Sequence, residues 1–164
     1  MNMKHKIEKN YLYEDLGFPV QLMNVPMIEI RGEFILDIDF NKLQKAVLLH
    51  LCHKKIPLTG NEIKFIRKYF SLTTSAFAKL FGYSHSAILK WENQEDHLAR
   101  IAPTTEIYLR LYILSFLKRE AEDFKELYEE IQIPQLAQFL KNDRNYAYQP
   151  LSINAKKELI SSAA

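Results

Sequence analysis

The segment LTTSAFAKLFGYSHSAILKWENQ, residues 72–94, constrains the fold more than any other part of the chain. It predicts two short helices joined by a sharp turn. Ala78 on the first helix is small enough for a second helix to cross closely. Gly82 suits the left-handed backbone conformation that closes a helix, and Ser84 suits the N-cap of the next helix. The spacing therefore predicts a helix-turn-helix.

The second of these helices, predicted over residues 84–94, has two chemically distinct faces. Ile88 and Trp91 lie three residues apart and predict an inward face, so we assign Trp91 to the core and not to base stacking. The opposite face carries residues that mostly donate or accept hydrogen bonds: His85, Ser86, Leu89, Lys90, Asn93 and Gln94. Such side chains are typical of helices that contact base edges in a DNA major groove.

This pattern resembles the Xre/Cro family of helix-turn-helix domains. Six residues match the family in order and spacing, and Ile63 and Arg67 match it on the preceding helix; the six are Ala78, Gly82, Ser84, Ile88, Trp91 and Glu92. Thr74 departs from the family, in which a glutamine that contacts the DNA backbone is common at this position. The resemblance implies a compact five-helix DNA-binding domain.

A narrower resemblance covers about residues 11–117. The run YLYEDLGFPVQL, a hairpin and the run LTGNEIKFIRKYF are similar to regulators related to the MqsA and HigA antitoxins. The MqsA type has a zinc-binding domain built from cysteine pairs, and this chain has only Cys52. The resemblance implies that Ser86 and Lys90 fall where that class places its base-reading residues.

Position on the motif suggests a role for each polar residue. We expect base contacts from Lys90 first, because lysine donates to guanine O6 and N7, and then from Ser86, His85 and Asn93. The predicted phosphate contacts lie at the start of the motif's first helix, where hydroxyls and free amides can hold an anion, and on nearby basic side chains. They are Thr73, Thr74, Ser75, Lys64, Arg67, Lys68 and Lys79. Arg67 has the alternative of pairing with Glu92.

The chain around the motif is predicted to be mainly α, in an α+β class. Alternating apolar residues predict a small antiparallel sheet over 18–38, and a helix follows over about 41–54. Thr59, with Glu62 three residues later, predicts a capping box at the start of the next helix. A near-3.5 repeat of apolar residues predicts one long helix over about 105–131 and a packing seam along it, before a short helix over about 135–142.

Three domains follow from this reading of the chain. They are an N-terminal hairpin or small sheet (1–40), the helix-turn-helix domain (41–118) and a C-terminal helical extension with a tail (119–164).

The positive charge of the chain is concentrated in the middle third of the sequence. Residues 41–100 carry 10 Lys and Arg against 4 Asp and Glu, a net charge of +6 within a total of +2. This distribution is typical of a chain that faces phosphates with one module, although a solvated helix face has the same composition.

Several functions are disfavoured by the residues present. The sequence has no carboxylate pair, nucleophile triad or glycine-rich phosphate loop, so it does not predict an enzyme. His50, Cys52 and His53 lie close in sequence, but one thiol without a second cluster does not predict zinc, so no metal or cofactor is expected. The charged N-terminus lacks the apolar stretch of a signal peptide, and no apolar run is long enough to span a bilayer. A cytoplasmic protein without a membrane partner is expected.

Two hypotheses remain at this point. The first is a dimeric transcriptional regulator, acting as a repressor on an operator in double-stranded DNA and resembling an antitoxin. The long helix is the preferred homodimer surface and the N-terminal sheet is the other candidate. The second is a protein-interaction module that sequesters a cognate toxin or another partner. It would bind that partner through the acidic residues near 120–130, which would suit a basic surface, or through the N-terminal arm.

Overall fold

A computed structural model describes residues 2–142 and 146–160. The chain divides into two compact units, one formed by residues 1–47 with 150–164 and the other by residues 48–149. The sequence suggested divisions after residues 40 and 118. Parts of the predicted terminal domains, at residue 1 and at 143–145 and 161–164, lie outside the described residues.

The first unit contains a mixed four-stranded sheet built around its second strand. The strands are β1 (His5–Tyr13), β2 (Val20–Ile30), β3 (Glu33–Leu36) and β4 (Leu151–Asn154). Strand β2 pairs antiparallel with β1 and β3 and parallel with β4. The predicted small antiparallel sheet is therefore wrong in extent and in type, because it left out β1 and β4.

Positive φ angles shape β2 and the turn that follows it. Arg31 (φ +53°) and Gly32 (φ +85°) form the two-residue turn between β2 and β3. Asn24 also has a positive φ of +53°. The buried residues of β2 change phase there, since Leu22 and Val25 are both fully buried although they are three residues apart.

Helix α1 (Phe40–Cys52) begins in the first unit and ends in the second. The Asp39 carboxylate accepts hydrogen bonds from the amides of Asn41 at 2.9 Å and Lys42 at 3.2 Å, which caps the helix N-terminus. The short helix α8 (Ala155–Glu158) follows β4 directly and packs against β2. Asn154 caps it by accepting from the Lys157 amide at 3.3 Å.

The second unit is helical in its described part. After the end of α1 it contains α2 (Gly60–Tyr69), α3 (Thr74–Phe81), α4 (His85–Glu92), α5 (Pro103–Phe116), α6 (Ala121–Glu130) and α7 (Ile133–Asn142). Its buried core draws apolar residues from each of these helices, with Ile63, Phe77, Ile88, Ile113, Leu127 and Leu136 among them. Helices α2 to α4 coincide with the predicted helix-turn-helix and the helix before it.

The single long helix predicted over 105–131 is wrong. Helix α5 ends at Phe116, Lys118 takes a positive φ of +52°, and α6 starts at Ala121. The Arg119 amide donates to the Leu114 carbonyl at 3.0 Å, which closes the last turn of α5. The proposed seam along one helix therefore does not exist. Together with the sheet, this overturns the five-helix fold, because the described residues form eight helices and four strands.

None of the helices in the described ranges has the length and apolar character needed to cross a lipid bilayer.

Candidate nucleic-acid interface

Helix α2 starts at a complete capping box. The Thr59 hydroxyl accepts from the Glu62 amide at 3.3 Å, and the Thr59 amide donates to the Glu62 carboxylate at 2.9 Å. The predicted capping box is confirmed. Lys54 Nζ lies 2.7 and 2.9 Å from the two oxygens of the same carboxylate, so the buried charge of Glu62 is paired.

Helix α3 starts with backbone donors that have no acceptor among the described residues, and it ends at a glycine. The Thr73 hydroxyl accepts from the Ala76 amide at 3.1 Å, so this side chain serves as the N-cap. The amides of Thr74 and Ser75, in the first turn, have no acceptor within the helix. Gly82 has a φ of +70° and terminates α3 in the left-handed conformation, as its position in the sequence predicted.

Helix α4 is anchored by its inner face. Ser84 caps it by accepting from the Ala87 amide at 3.2 Å. Ile88 is fully buried, and Trp91 is 8% exposed with its ring centroid 4.8 Å from that of Tyr83. The structure therefore confirms the assignment of Trp91 to the core. Ala78 on α3 is also fully buried, which is consistent with a close crossing of α3 and α4.

A bidentate ion pair joins α2 to α4. Arg67 Nε lies 2.5 Å from Glu92 Oε1, and Arg67 Nη2 lies 3.1 Å from Glu92 Oε2. Arg67 Nη1 also donates to the Leu72 carbonyl at 2.9 Å, in the connection between α2 and α3. Of the two roles open to Arg67, the structure has the pairing with Glu92. Its guanidinium is thus engaged inside the motif and not presented to a phosphate.

Gly60 allows a close approach of α2 to the end of α4, and the sequence did not predict this contact. A Cβ atom at Gly60 would lie 2.5 Å from the Trp91 carbonyl oxygen and 2.7 Å from the Glu95 amide nitrogen. The Asn61 amide donates to the Glu95 carbonyl at 2.8 Å across the same contact. The sequence feature that could have indicated this contact is a glycine at the first position of a helix, directly after the capping threonine.

The outer face of α4 is open to solvent. Ser86, Lys90 and Asn93 are all exposed and lie on one side of the helix, at spacings of three and four residues. His85 is exposed too, but its Nδ1 lies 2.6 Å from the Thr74 hydroxyl, which links the starts of α3 and α4. Three of the four predicted base-reading residues therefore share one side of α4, and the fourth, His85, lies beside the N-terminus of α3.

The exposed charge on α2 to α4 is mainly positive. Glu62 and Glu92 are buried and paired, so they add no negative charge to this surface. Four lysines are exposed, and within the described part of the chain none of them forms a salt bridge; they are Lys64, Lys68, Lys79 and Lys90. Three of these were predicted phosphate contacts, and the fourth is the predicted base reader.

Helix α5 stabilises the helix-turn-helix domain through a buried arginine whose role the sequence did not predict. Arg110 is fully buried and donates to the carbonyls of Cys52 and Ile56 at 3.0 Å each, and also to the carbonyl of Lys54. It pairs with Glu106 at 2.8 Å. Burial raises the pKa of Glu106, and the Arg110 charge opposes that shift. This network fixes the connection between α1 and α2.

Cys52 has the environment of a structural thiol. It is fully buried, and its Sγ lies 3.6 Å from the Arg110 carbonyl oxygen. Burial raises the pKa of the thiol to about 12, so the thiolate that a nucleophile requires is disfavoured.

Comparison with known proteins returned no match: no family model fits this chain, and neither a curated protein nor a solved structure resembles it significantly.

Proposed function

We propose that this protein is a sequence-specific DNA-binding transcriptional regulator of the repressor type, similar to antitoxins that bind their own operators. Helix α4 would enter the major groove, with Lys90 and Ser86 as the main readers and Asn93 and His85 beside them. The single observation that carries this proposal is the two-sided character of α4. Ile88, Trp91 and Glu92 hold it to α2 and α3. On its polar face the side chains of Ser86, Lys90 and Asn93 are exposed and make no hydrogen bond or salt bridge with any described residue.

The surface beside α4 suits a DNA backbone. The first amides of α3 are free donors at the positive end of a helix, and the hydroxyls of Thr74 and Ser75 lie next to them. Lys64, Lys68 and Lys79 supply positive charge on the same helices. Such contacts would fix the register on the duplex, while the side chains of α4 would carry the sequence preference.

The regulator would act as a homodimer, because one eight-residue helix reads only one half-site. We assign the second copy to the exposed aromatic face of α5. Tyr108 and Phe116 are each 53% exposed, with Tyr112 between them at a spacing of four residues. Tyr108 packs on Phe81 of α3 with the two ring centroids 5.6 Å apart, so this face belongs to the same domain as the helix-turn-helix. Exposed aromatic groups of this kind are enriched at interfaces.

Selection of duplexes from a random pool tests the proposal directly. The full chain should enrich a two-part site whose halves are one helical turn apart, or a multiple of that distance. The enriched duplex should bind more tightly than a shuffled duplex of the same composition. Failure to enrich any sequence, in spite of binding to DNA, would refute sequence-specific reading.

A protein-interaction module is the second candidate, and the acidic surface of α6 favours it. Glu122, Glu126, Glu129 and Glu130 are exposed on this helix, with Lys125 as its only basic residue. Such a surface would suit a basic partner such as a toxin. A chain that binds a basic protein but no duplex at low salt would favour this candidate over the regulator.

A further inference from the structure

Three side chains that the DNA-binding proposal does not use lie together in the second unit. They are His53, directly after α1, and Asp123 and Glu126, three residues apart on α6. A ring nitrogen of His53 and a carboxylate oxygen from each acid all lie within 4.8 Å of one another. The group combines one imidazole with two carboxylates and is therefore not a purely acidic cluster.

The histidine provides a second, independent observation. Its Nδ1 atom is buried and has no hydrogen-bond partner among the described residues. Native structures rarely leave a buried polar nitrogen without a partner, because its desolvation is then uncompensated. An ion bound at Nδ1 itself is one of the few arrangements that would satisfy this nitrogen.

We propose that His53, Asp123 and Glu126 bind a divalent transition-metal ion, with Zn²⁺ as the best fit and water completing the coordination. Zinc takes imidazole nitrogen and carboxylate oxygen ligands, and two carboxylates would balance its charge while the imidazole stays neutral. This site differs from the grouping of His50, Cys52 and His53 suggested by proximity in the sequence. Cys52 is excluded because its thiol is buried against the Arg110 carbonyl.

Arg119 does not prevent metal binding by Asp123. Its guanidinium lies 2.9 Å from Asp123 Oδ2 and 3.4 Å from Oδ1. A carboxylate has about four lone-pair directions, so it can keep this pair and still offer one oxygen to a metal. Carboxylate ligands are commonly held by such an outer hydrogen bond.

The site would attach α6 to the connection between α1 and α2. Leu127 is the only buried residue of α6, so the helix is held by few apolar contacts. A shared metal would stabilise its position and raise the melting temperature of the full chain. This effect does not depend on DNA binding and would occur whether or not the chain is a regulator.

Calorimetric titration of the full chain with Zn²⁺ tests the site, with Co²⁺ absorption as a second readout of coordination. We expect one ion per chain and a higher melting temperature. The variants His53→Ala and Glu126→Gln should each weaken binding by about 10-fold or more. Glu129→Gln on the same helix and His97→Ala on an exposed loop are matched controls and should bind as tightly as the unmodified chain.

Three results would overturn the proposal. They are the absence of saturable binding of Zn²⁺ and Co²⁺, an affinity that Glu126→Gln leaves unchanged, and an equal loss of affinity in the His97→Ala control, which would indicate adventitious binding at exposed histidines. Glu126 is exposed, so its glutamine variant should fold normally and keep the test decisive even if His53→Ala is unstable.

Discussion

At the scale of single residues, the proposed base-reading face of α4 (Ser86, Lys90 and Asn93) would depend most on Lys90. Its side chain is exposed in the last turn of α4, on the same side as Ser86 and Asn93. A lysine at this position can contact a guanine, which would give specificity, or a phosphate, which would give affinity for any sequence.

The substitution Lys90→Ala should therefore weaken binding to the selected duplex by about 1–3 kcal/mol. The variant protein should bind a shuffled duplex with nearly the affinity of the unmodified chain. Fluorescence polarisation with both duplexes measures the two losses. Lys45→Ala removes an exposed lysine from α1 and serves as a control that should lose little. An equal loss on both duplexes would assign Lys90 to a phosphate contact.

Arg67 makes the opposite kind of contribution, because its guanidinium is used within the fold. Arg67→Ala would leave the Glu92 carboxylate, 6% exposed, without its cation. We expect a loss of about 3 kcal/mol in the free energy of unfolding, measured by urea denaturation. Lys64→Ala, on the exposed face of the same helix, should change this free energy by less than about 0.5 kcal/mol. A similar small change for Arg67→Ala would contradict a structural role.

At the scale of helices and strands, the parts predicted correctly are those specified by neighbouring residues. The Thr59–Glu62 capping box, the left-handed Gly82 and the Ser84 cap each depend on groups within four residues along the chain. Local chemistry of this kind is readable from sequence, and it is what placed the helix-turn-helix.

The parts predicted wrongly depend on distant contacts or on weak periodicity. Strand β4 pairs with β2 across more than 120 residues, as in the pairing of Val20 with Leu151, and no local pattern indicates such a partner. Strand β1 is mostly exposed, so it lacks apolar alternation. The break between α5 and α6 falls in a charged stretch that also suits a helix, and the apolar repeat on either side concealed it.

The contact of α2 with α4 at Gly60 gives a test at the same scale. Gly60→Ala would place a Cβ atom 2.5 Å from the Trp91 carbonyl oxygen, so the two helices must separate. We expect a destabilisation of about 1–3 kcal/mol, although alanine is the better helix former. Urea denaturation measures it, and Asn61→Ala at the next position is the control. A more stable Gly60→Ala variant would show that this approach is not tight.

At the scale of the whole molecule, the proposed regulator requires two copies of α4 on one duplex. Tyr108→Glu places a charge in the aromatic face assigned to the second copy. We expect a monomer in analytical ultracentrifugation, and binding to the two-part site weakened by at least about 10-fold because the half-sites are no longer linked. Tyr128→Glu on α6, where Tyr128 is 61% exposed, is the control and should remain a dimer. A dimeric Tyr108→Glu variant would exclude this face.

The dependence of duplex affinity on salt tests the central claim most directly. Three exposed lysines in each of two subunits would make about six phosphate contacts, so a plot of log binding constant against log salt should have a slope of about −5. The measurement uses the full chain with the selected duplex over a series of KCl concentrations. A steep slope of this size is the predicted result. The absence of duplex binding at low salt, or an affinity that does not change with salt, would contradict the assignment of α2 to α4 as a DNA-binding surface.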